Sequence, residues 1–150
     1  MKDLYEWHQD DAGQWKLRDM AGNHRGGISW PVGISGYKLS WTILPVNYEH
    51  EQCKQSLVTA NAMSIDAAKR EAVDAVVAMD VELMNSLHGR HFKHRGRETV
   101  YKVTGFSRDE KDNVINVLYQ QENRSFDLPW SRPIHKFLDG RFERLEQFTS

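Results

Sequence analysis

The sequence predicts an α+β fold: a three-stranded antiparallel sheet packed on one long helix, followed by a small SH3-like β-barrel module. Three observations carry this. Between residues 37 and 44, Tyr37, Leu39, Trp41 and Ile43 alternate with Lys38, Ser40 and Thr42, the period-two pattern of a strand with one buried side. From Ile65 to Leu87, Ile65, Ala68, Ala72, Val76, Met79, Leu83 and Leu87 recur at spacings of three and four, the stripe of a helix of about six turns. After residue 100 the period returns to two, in short runs separated by turns, which suggests a small curled antiparallel sheet. The division predicted is a β-β-β-α domain over 1–88 and a barrel-like domain over 89–150.

The elements follow in order. Tyr5 and Trp7 alternate with Glu6 and His8, Asp10–Asp11–Ala12–Gly13 supplies turn chemistry, and Trp15 and Leu17 complete a hairpin. Ala21–Gly27 is rich in glycine and asparagine and reads as a connecting loop. Ile28 and Trp30 start a short strand that Pro31 and Gly33 interrupt. Asn47–Asn61 is polar and reads as a loop. Ser64 is placed to cap the helix, and Asp66 in its first turn suits the helix dipole. Gly89 ends the helix, and His88–Arg97 then reads as a basic connector. Tyr101 and Val103 form a strand ending near Gly105, and Ser107–Asn113 is a charged turn. Ile115, Val117 and Tyr119 form the next strand, followed by a turn at Gln121–Ser125. Phe126 and Leu128 lead to Trp130, Arg132–Gly140 reads as a short helical turn, and Phe142–Leu145 as a last strand.

Composition limits the classes of function. Twenty basic and 21 acidic side chains nearly cancel, so no global field draws in duplex nucleic acid or a membrane surface. The single cysteine, Cys53, has no partner for an internal disulfide, which fits a reducing compartment. The first residues hold no apolar signal core, and no apolar run reaches membrane-spanning length. A cytoplasmic protein without membrane contact is the expectation.

Few residues point to chemistry. Cys53 has no histidine–acid arrangement nearby and reads as an incidental thiol. The glycines of 21–27 would let amides approach a phosphate, but no P-loop or dinucleotide fingerprint is present. His88, His91 and His94 have a spacing that invites a metal, yet no acidic or thiol ligand is close in sequence, so no metal and no cofactor are expected. His88, His91, His94 and His135, with Asp127 or Asp139, are the available acid–base groups, and they fall into no catalytic motif. The remaining candidates form a ligand-binding set. Arg90, Lys93, His94 and Arg95 belong to the basic run, and Tyr119 and Trp130 offer aromatic faces. Arg132 offers a planar fork, held in direction by Pro133, unless Asp127 or Asp139 claims it.

Several of these residues carry a resemblance. Phe92–Lys93–His94, Gly96, Tyr101–Lys102–Val103, Val117–Leu118–Tyr119, and Trp130–Ser131–Arg132–Pro133 with Phe137 resemble, in order and spacing, a small bacterial and phage domain family known only as a domain of unknown function. The resemblance covers about residues 90–146. It implies a small barrel-like β fold and no established activity. Residues 1–87, with the aromatic strand Gly36–Trp41 ahead of an alanine- and acid-rich helix, resemble the strand–strand–strand–helix accessory domains of phage proteins. Together these imply a phage or prophage accessory protein. The function expected is non-enzymatic binding of a phosphate-bearing ligand, a nucleotide or nucleic acid, through the C-terminal β module. The alternative is a phage-encoded protein that binds and inhibits a host or defence protein with the same aromatics as anchors.

Overall fold

The computed structural model describes residues 1–29, 39–48, 57–124 and 127–146. Cys53, Trp30, Pro31, Gly33, Tyr37 and Phe126 lie outside the described residues. The chain is mixed helix and sheet, with two five-stranded antiparallel sheets and one long helix.

The first sheet is a meander: β1 Tyr5–Gln9, β2 Trp15–Asp19, β3 His24–Ser29, β4 Leu39–Ile43 and β5 Val58–Ala62, each paired with the next. The expected three-stranded sheet is therefore corrected to five. The segment read as a glycine-rich loop keeps its turn at Ala21–Asn23, but His24–Gly27 already belong to β3, together with the Ile28 expected in a strand. Its glycines are needed for close approach, since a Cβ on Gly26 would sit 2.3 Å from the Thr42 carbonyl oxygen. A bulge between Leu17 and Arg18 breaks the alternation that would have marked the strand. The polar loop read over Asn47–Asn61 ends in β5, where Ala60 and Ala62 pack on the first core while Thr59 and Asn61 alternate with them. Alanine is a weak strand former, so this edge strand leaves little signal.

α1, Ile65–Leu87, lies on one face of this sheet. Ser64 caps it as expected, its Oγ accepting from the Ala67 amide at 3.1 Å. Ala68, Ala72 and Val76 are fully buried against Leu17, Ile28, Leu39, Trp41 and Ile43. Lys69 sets its ammonium 3.2 Å from the centre of the Trp15 ring, pinning the helix to β2. The last turn carries Leu83, Met84 and Leu87 into a second core.

That second core belongs to the C-terminal sheet, formed by β6 His91–His94, β7 Val100–Arg108, β8 Ile115–Gln121, β9 Trp130–Pro133 and β10 Phe142–Leu145, in the order β10-β6-β7-β8-β9. A one-turn helix, α2 Ile134–Phe137, joins β9 to β10. Three expectations are corrected here. The basic connector is partly a strand, because Phe92 buries itself beside Phe137, with ring centres 5.0 Å apart, and draws its neighbours into pairing. β7 does not stop at Gly105; it passes through a bulge between Val103 and Gly105 and continues to Arg108. The helical turn read over Arg132–Gly140 shrinks to α2, since Trp130–Pro133 pairs with β8 as an edge strand, where a proline is tolerated. Among the described residues, no helix is long and apolar enough to cross a membrane.

Candidate ligand-binding site

The residues singled out by sequence converge only in part, at the seam of the C-terminal sheet between β9 and β10, which are not hydrogen-bonded to each other. On β9 the strand period puts Trp130 and Arg132 on one face, opposite Tyr119 and Val117 of β8. From there Arg132 reaches across the seam. Its guanidinium carbon lies 5.6 Å from the centre of the Phe142 ring on β10, and its Nε donates a long, weak hydrogen bond of 3.4 Å to the Tyr119 hydroxyl. His94 packs edge-on against the same Phe142 ring, with centres 5.2 Å apart. Its ring Nδ1–H donates to the Arg95 carbonyl at 2.8 Å. Arg132 and His94 thus flank one aromatic ring from different strands.

The acids foreseen as partners for Arg132 are engaged elsewhere. Asp127 lies 3.7 Å from Arg124, and Asp139 lies 3.1 Å from Arg141. Among the described residues Arg132 has no carboxylate partner, and its terminal nitrogens are uncommitted. Beside it Trp130 is 64% exposed and Leu128 91% exposed, so an apolar edge adjoins a cation.

Tyr119 does not offer a stacking face, and that expectation is corrected. It is 6% exposed, with its ring packed among Tyr101, Phe137 and Phe142, because the inward face of β8 builds the core. Only its hydroxyl reaches the seam. The basic run is split by the pleat. His94 shares the inward face of β6 with Phe92, whereas Lys93 points the other way, 3.4 Å from Glu98. Arg90 sits exposed just after α1, with its amide bonded to the Leu87 carbonyl, and Arg95 is exposed in the turn beyond β6. Arg90, Lys93 and Arg95 therefore form no single patch with Arg132. His91 pairs with Glu122 at 2.9 Å, on the face away from His94. Among the described residues no three histidine, cysteine or acidic side chains are grouped to hold a metal.

Sequence reasoning missed the most heavily buried polar cluster. Arg25, on β3, is 1% exposed, and Asp80, on α1, is 2% exposed. The two form a bidentate pair, at 2.9 Å and 2.5 Å, while the Tyr5 hydroxyl donates to the same carboxylate. Arg25 Nε donates to the Leu44 carbonyl at 2.9 Å, and Asp19 lies 3.6 Å from the guanidinium. Burial works against the charge of Arg25, but the hydrogen bonds and charge of Asp80, with Tyr5 and Asp19, outweigh it and hold the proton more firmly. Burial and the adjacent Asp80 push the Tyr5 phenol far above its ordinary range. Every strong donor and acceptor here is already engaged, so the cluster fixes helix to sheet and leaves nothing for a ligand. One signal was present: Asp80 continues the spacing Ala68, Ala72, Val76, which puts a carboxylate on the buried stripe.

A cavity of about 110 Å³ lies beside this cluster, between α1 and the second sheet, walled by Met79, Leu83, Leu87, Phe92 and Leu138. Compared with protein-family models, with curated proteins and with solved structures, the chain matches none.

Proposed function

We propose that the chain is a non-enzymatic binding protein that takes a phosphate-bearing ligand, a nucleotide or single-stranded nucleic acid, at the seam of its C-terminal sheet. The observation that carries this reading is Arg132. It is a guanidinium whose terminal nitrogens have no partner among the described residues, two residues along one strand face from an exposed indole. A base stacks on such an indole while the fork takes a phosphate in two parallel hydrogen bonds. His94 supplies a second polar group on the far side of Phe142. The module is read as an SH3-like barrel, in keeping with its order β10-β6-β7-β8-β9 and the single helical turn before β10. The organisation proposed is a sheet-and-helix domain over 1–88 and this barrel over 89–150, in a cytoplasmic phage or prophage accessory protein.

The test is titration of a labelled oligothymidylate and of ATP at several salt concentrations. Binding at the seam should weaken more than tenfold in Arg132→Lys and in Trp130→Ala, the loss of a charged hydrogen bond or of one stacked base. Binding indifferent to both changes sinks the proposal.

A second reading has an observation of its own. Leu128 and Trp130 are exposed together at a sheet edge, the kind of apolar edge that anchors a protein partner. On that reading the chain binds and inhibits a host or defence protein, and Leu128→Ala weakens binding to that protein as much as Trp130→Ala does.

A further inference from the structure

The face of the first sheet turned away from α1 carries a cluster of a different kind. Its composition follows from the register. Leu17 and Ile43 face the helix, so the residues alternating with them face outward. One outward row runs His8, Lys16, Gly27, Thr42, Thr59 across all five strands, and the next holds Glu6, Arg18 and His24. Two permanent cations and two histidines thus meet on neighbouring positions of three strands, with Glu6 as the one acid in these rows. Lys16 also lies 3.9 Å from Asp10 in the hairpin turn, while Arg18 has no carboxylate at ion-pair distance among the described residues.

The surface is concave there. Gly27 leaves the middle of the row without a side chain, and a Cβ at that position would lie 3.1 Å from the Trp15 carbonyl oxygen. The hollow has a volume of about 230 Å³, with Lys16 and His24 on one side and Ser29 and Thr42 on the other. A lysine and an imidazole on one wall, hydroxyls on the other and a floor without a side chain suit a chain of tetrahedral anions. His24 stands among these positive groups. Burial first, then Lys16, His8 and Arg18, depress its affinity for a proton. An anion in the hollow would relieve that repulsion.

We propose that this hollow binds a chain of two or three phosphates, read through its oxygens by Lys16 and His24, with Arg18 in the adjoining row adding positive charge. It is independent of the seam around Arg132, which lies on the other sheet. The probe is inorganic tripolyphosphate, titrated by calorimetry into the full chain, with ATP and a labelled oligothymidylate as parallel arms. One tripolyphosphate per chain is expected, with amide shifts at Lys16, His24 and Gly27 in NMR spectra. At the hollow ATP should bind comparably, because the phosphate chain is what both share, as an equivalent insensitive to Arg132→Lys and separate from the one expected at the seam. Lys16→Ala together with His24→Ala should weaken tripolyphosphate more than tenfold, as for losing charged hydrogen bonds. Arg132→Lys should leave it unchanged. The Lys16 and His24 side chains both stand outside the core, and circular dichroism checks that the variant is folded. An absence of binding overturns the proposal, as does binding that survives the double substitution, an adventitious ion only. Loss on Arg132→Lys alone would transfer the anion to the seam and overturn it too. Oligothymidylate binding that resists Lys16→Ala with His24→Ala while tripolyphosphate binding is lost supports two separate sites.

Discussion

Asp80 shows how one side chain can decide a packing. Removing it takes away the bidentate partner of the buried Arg25 guanidinium and leaves it only Asp19 at 3.6 Å and the Leu44 carbonyl, and breaking a buried pair costs about 3–5 kcal/mol. Asp80→Ala should therefore lower stability by that amount in chemical denaturation, and Tyr5→Phe by roughly 1.5–3 kcal/mol, the range for a hydrogen bond to a charged group. A loss below about 1 kcal/mol in both would mean that the cluster is open to water. Arg132 should behave in the opposite way. Its one hydrogen bond is long, so Arg132→Lys should leave stability within about 0.5 kcal/mol of the parent, as at an ordinary surface position. Two histidines give a pH dependence. Burial first, then neighbouring cations, lower the proton affinity of His24, and burial does the same to His135. Between the ordinary value of 6.5 and the lower folded values, the unfolded chain binds more protons than the folded one. Stability is thus fully present above pH 6.5 and falls as the pH drops through the folded values. Urea midpoints across that window check this, and His24→Gln with His135→Gln should flatten the slope. Asp80 was legible as a misfit on an apolar stripe; Arg25 was not, because a bulge in a glycine-rich segment turns it inward and no periodicity records a bulge.

At the level of elements, the helix and the aromatic strand were readable because each has a single buried face that imposes its period. Trp41 joins them: it is buried against α1, and its indole N–H donates to Glu71 at 3.2 Å. Trp41→Ala should cost about 3–5 kcal/mol in equilibrium unfolding, the range for large aromatic truncations in cores. β3 was readable only at its end, where Ile28 was expected in a strand, and β5 was not, since glycine and alanine carry no pattern and their pairing is decided by what lies beside them. Gly26 makes that dependence testable. Its Cα stands so close to Thr42 that Gly26→Ala must push β3 and β4 apart. Amide exchange should then speed up at Gly27 and Ser29 while the C-terminal sheet stays protected. The aromatic seam was half legible. Trp130 and Arg132 stood out by type, but Phe142 and His94 joined them only through the curl of the sheet, which no local spacing encodes.

At the scale of the molecule, the two cores share parts. Leu87 of α1 and Val46, which follows β4, belong to the second core, and Ile115 packs against both. Asp3 accepts from Arg108 at 2.8 Å through its carboxylate and from Asn113 at 3.0 Å through its backbone carbonyl. A single calorimetric transition is expected, with Leu87→Ala lowering the midpoint seen by probes in either sheet alike; two separated transitions would show that the shared side chains do not couple the cores. The order of the two sheets has a consequence for biosynthesis. The first is a meander in which every strand meets its predecessor, so it can zip up as it leaves the ribosome. The second cannot. β6 must wait for β10, made only after β7, β8, β9 and α2, before its outer edge is covered. Until then His91–His94 exposes a free strand edge on the nascent chain, next to the buried-to-be Phe92. The charges of Arg90, Lys93, Arg95 and Arg97 surround that edge during the interval when it is most prone to pair with a stranger. Charges flanking an open strand in this way disfavour its pairing with a stranger until its proper neighbour is made.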